Sequence, residues 1–215
     1  MSIWEKILYK GTSSFSGEIK VTEHLGTRRL VANGFTQSQS LKPNGRTGLA
    51  YWDEMIPKDL SLEKDARVLI LGLGAGTTAK IITKRFGPVA IDGVEIDPLM
   101  ISLGQKYFAM NEPNLNIITA DAKKFVKDAR YKYELICVDI FVGSTVPKEI
   151  ETRGFLENVA LLLKEEGTVT INKIFSGQEE LENFEKFVRR VFPLVHSFVV
   201  RGNVKMDNVI IYAQN

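Results

Sequence analysis

Val68-Leu69-Ile70-Leu71-Gly72-Leu73-Gly74-Ala75-Gly76-Thr77-Thr78 is an apolar run that ends in three alternating glycines. A short continuous apolar run suits a parallel strand buried on both faces. The glycines permit a sharp turn and let a ligand approach the backbone closely. A helical segment follows, and its first N–H groups would point at whatever the loop holds. The stretch therefore predicts the first strand–loop–helix of a nucleotide-binding α/β domain.

The spacing narrows the ligand. A dinucleotide fingerprint needs G-x-G-x-x-G, but Thr77 stands where the third glycine would fall. No P-loop sequence is present. Instead, G-x-G-x-G is followed by a second apolar run ending in Val94-Glu95-Ile96-Asp97. A carboxylate at that strand end can accept both hydroxyls of a ribose.

Outward from this core, strand and helix patterns alternate, as in a parallel sheet with crossover helices. Strands are expected at 67–72, 89–95, 115–119, 133–139 and 167–172. Helices are expected at 77–86, 98–110, 122–129, 149–164 and 178–191. Two last strands, 195–200 and 209–212, joined through Gly202-Asn203, read as an antiparallel edge hairpin. Residues 1–60 differ. Strands 18–22 and 29–32 flank a turn at Gly26, a polar glycine-containing stretch covers 33–40, and a helix covers 48–57. The expected organisation is an N-terminal β module with a connecting helix (1–60) and a Rossmann-like α/β domain (61–215).

Ligands of open α/β sheets bind beyond the carboxyl ends of the strands. The residues expected there are Gly72, Gly74 and Gly76, then Glu95 with Asp97, Asp121 with Ala122, Asp139-Ile140-Phe141, and Asn172. Asp97, directly before Pro98, reads first as a helix N-cap. Asp121 fits a cap as well as an adenine contact. Asp139, ending the apolar run Leu135-Ile136-Cys137-Val138, reads as functional.

Composition sets outer limits. Of 215 residues, 44% are hydrophobic and 25% charged, the ordinary balance of a globular chain. A net charge of +2 gives no bulk attraction to nucleic acid or membranes. The lone cysteine, Cys137, cannot form an internal disulfide and fits a buried thiol in a reducing cytoplasm. His24 and His196 lack zinc-like spacing, so no metal is expected. The N-terminal residues lack the apolar core of a signal peptide. A cytoplasmic protein is expected.

Taken together, these positions resemble the methyltransferase-type Rossmann fold that binds S-adenosylmethionine, and within it the spermidine synthase family. The resemblance covers most of the chain. It runs through Leu30-Val31-Ala32-Asn33-Gly34-Phe35-Thr36-Gln37-Ser38, the Tyr51–Met55 helix, Val94–Asp97, Asp121-Ala122 and Asn208–Tyr212. It implies that Gly72, Gly74, Ala75, Gly76, Glu95 and Ile96 hold a nucleoside and its ribose. It further implies that Asp121 and Ala122 bind adenine, that Gln37 lies near the nucleoside, and that Asp139 orients and deprotonates an acceptor amine. Tyr51, Trp52 and Phe141 are expected in the acceptor pocket. Two departures stand out. The family's Gly-Gly-Gly-Asp-Gly-Gly loop has Ala75 at its aspartate, and its second acceptor aspartate is replaced by Val142. Ala75 would leave room for the carboxylate of intact S-adenosylmethionine, so methyl transfer to an unknown small-molecule acceptor is the first expectation. Aminopropyl transfer from decarboxylated S-adenosylmethionine to a polyamine is the second. A non-catalytic nucleoside-binding or partner subunit is the third. The resemblance also implies a homodimer formed through the N-terminal module.

Overall fold

A computed structural model describes residues 5–48, 50–143, 145–175, 177–200 and 208–215. The expected Gly202-Asn203 link lies outside the described residues.

The chain opens with a four-stranded antiparallel sheet in the order β1-β2-β3-β4. Its strands are β1 (Lys6–Ser13), β2 (Gly17–His24), β3 (Thr27–Ala32) and β4 (Phe35–Gln39). Leu25 and Gly26 both take positive φ at the β2–β3 turn, as the twist of a two-residue hairpin demands. Asn33 and Gly34 do the same between β3 and β4. The polar stretch expected at 33–40 is thus a second hairpin turn leading into a strand. Asn-Gly is the local signal, and the polar residues of β4 hid the strand. Helix α1 (Ala50–Glu54) connects this sheet to the second one.

The second sheet has seven strands: β5 (Arg67–Leu71), β6 (Ala90–Glu95), β7 (Leu115–Thr119), β8 (Tyr133–Val138), β9 (Leu163–Ile174), β10 (Leu194–Val200) and β11 (Asn208–Gln214). Their order is β10-β11-β9-β8-β5-β6-β7. The pairs among β5 to β9 are parallel, whereas β11 is antiparallel to both β9 and β10. The expected antiparallel edge hairpin is the β10–β11 pair. Within it β10 is the edge strand and β11 the interior one, between β9 and β10. Val209, Ile210, Ile211 and Ala213 are all buried, so this run has the two-sided burial of a central strand.

Helices α2 (Thr77–Phe86), α3 (Pro98–Phe108), α4 (Ala122–Asp128), α5 (Arg153–Leu162) and α6 (Gln178–Val188) cover the two faces. The period-two alternation of the strands sorts their side chains. Leu69, Leu71, Ile136 and Val138 join the core under α4, α5 and α6. Val68, Ile70, Leu135 and Cys137 join the core under α1 and α2. Helix α5 starts at Arg153 rather than 149, because Thr152 accepts from the Phe155 amide as its N-cap. Residues 149–152 are therefore left in the loop after β8.

A third cluster fixes the N-terminal sheet. Ile19, Val21, Leu30 and Ala32 pack against Ala75 and against Met100, Leu103 and Phe108 of α3. Polar contacts reinforce this seam. The Ala75 amide donates to Ser38 Oγ at 2.8 Å. Thr77 Oγ1 accepts from the Gln39 amide and donates to the Gln39 carbonyl, at 2.9 and 3.0 Å. The small sheet thus grips the glycine loop from behind. Among the described residues, no helix is long and apolar enough to cross a membrane.

Candidate active site

The carboxyl ends of β8, β5, β6 and β7 open into one cavity of about 570 Å³. It is walled by the glycine loop, by Glu95 and Ile96, by Asp121 and Ala122, and by residues 139–142, with Gln37 and Tyr51 closing it from the N-terminal segment.

Gly72 ends β5 at φ +92°. A Cβ there would lie 2.1 Å from the Asp139 carbonyl oxygen, so β5 and β8 approach more closely than any side chain allows. That approach sets Asp139 beside the loop. The Gly74 amide donates to Glu95 Oε2 at 2.8 Å, and the Asp97 amide donates to Glu95 Oε1 at 3.0 Å. The two bonds aim the carboxylate and leave further lone pairs for hydroxyl donors. Burial pushes the Glu95 carboxyl upward, and the Asp97 and Gly74 amides oppose that shift.

Asp97 is the N-cap of α3, accepting from the Leu99 amide at 2.9 Å. Its other oxygen accepts from Ser16 Oγ at 2.7 Å, so its role is structural. Asp121 caps α4, accepting from the Lys123 and Lys124 amides, and also lines the cavity. Both bonds use Oδ1.

Asp139 lies at the other end of the cavity wall. Asn172 Nδ2 donates to its Oδ1 at 2.8 Å. Burial raises its carboxyl to about 6, against hydrogen bonds from Asn172 and Trp52, and the Glu95 charge adds to the rise. Burial also pushes the Tyr51 phenol well above its ordinary range, with the Asp139 charge assisting. Tyr51 therefore stays a neutral hydroxyl. Cys137, fully buried, has its thiol pushed up to about 12 chiefly by burial and is inert in the sense expected.

The structure brings Gln37, Tyr51, Gly72, Gly74, Glu95, Ile96, Asp121, Ala122, Asp139 and Phe141 to the cavity wall. Three expected residues are not in that wall. Trp52 is 1% exposed and belongs to the core, reaching Asp139 only from behind. Ala75 is 1% exposed and its methyl sits in the cluster beneath the N-terminal sheet. Gly76 is the cap position of α2, where a Cβ would meet Met110. Phe175, just after β9, is likewise absent from the wall and pairs with Phe184.

Sequence reasoning missed Phe15 and Ser16, which the β1–β2 turn carries to the cavity, and Lys123, Lys124 and Lys127 of α4. The lysines were legible as the face of a helix after Asp121. The turn had no local signal, because its place depends on the long-range bond from Ser16 to Asp97. Gln37 also latches the loop after β8, donating from Nε2 to the Gly143 carbonyl at 3.0 Å. Among the described residues, no group of three or more His, Cys, Asp or Glu could hold a metal ion.

This arrangement is the methyltransferase-type Rossmann fold, an α/β fold with a mostly parallel twisted sheet, a C-terminal antiparallel pair and a preceding small β sheet. Spermidine synthase from Thermotoga maritima superposes with a TM-score of 0.77 at 18% identity, over 98% of this chain and 73% of that one. The family model described as the spermine/spermidine synthase domain matches residues 54–213. The chain belongs to that family. A polyamine aminopropyltransferase of Vibrio vulnificus is 30% identical over 141 residues, 64% of this chain and 47% of the relative. An N-terminal histidine N-methyltransferase of Emericella nidulans is 30% identical over 62% of this chain and 24% of its own length. The chain spans less than half the length of either curated relative.

Proposed function

We propose that this protein alkylates an amine with a sulfonium nucleoside, and that the group transferred is the aminopropyl group of decarboxylated S-adenosylmethionine. The observation that carries this reading is Asp139, a half-buried carboxylate held as a hydrogen-bond acceptor in the cavity wall that Glu95 also lines. Charge distribution supports the decarboxylated donor. Among the described residues, the cationic side chains of the cavity wall, Lys123, Lys124 and Lys127, stand on α4 after the outermost strand β7. Two strands, β5 and β6, separate that strand from β8 and Asp139. An ammonium on donor and acceptor suits a region whose described residues carry carboxylates and no cation, and the carboxylate of the intact donor finds no partner among them.

In this reading Glu95 takes the ribose hydroxyls, Asp121 and Ala122 face the adenine, and Gln37 and Tyr51 close over the reacting groups. Asp139 accepts a proton from the acceptor ammonium. The freed nitrogen lone pair attacks the donor's methylene carbon beside sulfur. The carbon–sulfur bond breaks, its electrons return to sulfur, and a neutral thioether nucleoside leaves. Positive charge leaves sulfur during the step, so alignment and exclusion of water supply most of what is needed.

The expectation of methyl transfer rested on Ala75 making room for the donor's carboxylate. Ala75 is buried outside the cavity wall, so that argument no longer separates the donors, and family membership favours aminopropyl transfer. Methyl transfer from S-adenosylmethionine is the second reading. It is favoured by exposed Val142, which replaces an acceptor carboxylate, and by the N-methyltransferase relative. A panel of amines incubated with each donor, read by product mass, decides between them. An aminopropylated amine supports the first reading, a methylated one the second. No product with either donor supports a nucleoside-binding subunit.

Glu95→Gln should weaken nucleoside affinity about 10- to 100-fold, the worth of one charge-assisted hydrogen bond at about 1.5–3 kcal/mol. Calorimetry finding unchanged affinity would remove Glu95 from the ribose site. Turnover should also rise with pH and level off above about 6, because Asp139 must be ionised to take a proton and burial has raised its carboxyl to about 6. A rate independent of pH across that range would exclude it as the base. The reading includes a cytoplasmic homodimer formed through the N-terminal sheet; a monomer in light scattering would count against that part.

A further inference from the structure

Asn172 lies near the end of β9, is 2% exposed, and donates from Nδ2 to Asp139 Oδ1 at 2.8 Å. Its own Oδ1 accepts from Asn208 Nδ2 at 2.9 Å. Asn208 is the first residue of β11, the antiparallel strand beside β9. A side-chain amide has one donating and one accepting end, whereas an ionised carboxylate only accepts. Turned end for end, Asn172 would set oxygen against the Asp139 oxygen and nitrogen against the Asn208 nitrogen. Both contacts would then repel. The two amides therefore have a single orientation while Asp139 is ionised.

We infer that Asn172 and Asn208 are positioning residues, a two-amide relay through which the C-terminal strand pair holds Asp139 as an acceptor in the cavity wall. The inference rests on the reading of Asp139 as the base only for its kinetic consequence; the relay itself stands on geometry. Other groups face Asp139 as well. Tyr51 approaches from α1 and Glu95 from the end of β6, Cys137 precedes it on its own strand, and the Trp52 indole completes its hydrogen bonds. None of these contacts Asn208 among the described hydrogen bonds. Substitution of Asn208 therefore tests the relay without touching the others.

The test uses the full chain with carbon-13-labelled aspartate, following the Asp139 carboxyl through a pH titration by NMR. Its resonance is assigned by its loss in Asp139→Asn. In Asn172→Leu the Asp139 midpoint should move up by about one pH unit, since a hydrogen bond to the charged form is lost. In Asn208→Ala it should move up by less, because Asn172 keeps its donor but loses its anchor. Asn208→Asp, nearly isosteric and so the safer variant for folding, can only accept; it should draw the Asn172 nitrogen away from Asp139 and raise the midpoint more than Asn208→Ala does. The acid limb of kcat/KM should move in step, with donor affinity unchanged. A midpoint at the wild-type value in both Asn208 variants would overturn the relay. A midpoint that moves while the acid limb stays fixed supports the relay and overturns the role of Asp139 as base.

Discussion

Asp139→Asn should lower kcat by about 10²–10⁴-fold, the usual contribution of a general base, while nucleoside affinity stays close to that of the native protein. The substitution is isosteric and keeps an oxygen for Asn172 to donate to, so the wall of the cavity survives. What disappears is the capacity to take a proton from an ammonium, together with one of the two accepting oxygens that Asn172 and Trp52 share. The proposed nucleoside site is built from other residues, Glu95 and the glycine loop foremost, and the amide of Gly74 is tied to Glu95 rather than to Asp139. Single-turnover kinetics beside calorimetry separate the two effects. Unimpaired turnover would remove Asp139 from the chemistry, and a parallel loss of binding would make it a binding group instead.

Gly72→Ala should destabilise the fold by about 3–5 kcal/mol, combining the cost of positive φ with a backbone clash. The added methyl would stand 2.1 Å from the Asp139 carbonyl oxygen and 2.7 Å from its carbonyl carbon. Neither atom can rotate away, since the Asp139 amide is itself bonded to the Leu71 carbonyl at 2.8 Å. Relief must come from spreading β5 and β8 at the point where the site is assembled. Thermal unfolding should show a midpoint lower by about 10 °C for a domain of this size, and the protein that remains folded should have a displaced Asp139 and reduced turnover. A midpoint unchanged from wild type would mean that the strand ends are not as closely apposed as the geometry requires.

The parallel sheet was legible because its strands are buried on both faces. Val68–Leu71 and Leu135–Val138 read as continuous apolar runs bounded by glycine or aspartate, and few other structures fit such runs. Strand-end carboxylates were legible for the same reason: Glu95 and Asp139 interrupt apolar runs where a charge needs a function or a partner. Strand β4 was not legible, since Thr36, Gln37, Ser38 and Gln39 look like loop by composition. Their pairing depends on the hairpin at Asn33-Gly34 and on Thr77, far along the chain.

Which side of the loop a residue faces was equally hidden. Ala75 lies between two glycines of the glycine loop, yet its side chain belongs to the seam with the N-terminal sheet, a contact between segments more than forty residues apart. Trp52 illustrates the same limit. Its neighbour Tyr51 lines the cavity while Trp52 fills the core behind it, and a five-residue helix is too short for periodicity to tell the two apart. The C-terminal pair was legible as an edge hairpin, but which of its strands lies inside was not: β11 pairs with β9, and Val209–Ile211 is buried.

The most direct measurement is calorimetric titration of the purified protein with decarboxylated S-adenosylmethionine and, separately, with S-adenosylmethionine. Saturable binding of both is expected through the nucleoside they share, with the decarboxylated form tighter. Binding of neither would contradict the assignment of the cavity. Tighter binding of the intact form would contradict the electrostatic argument for the donor and restore methyl transfer.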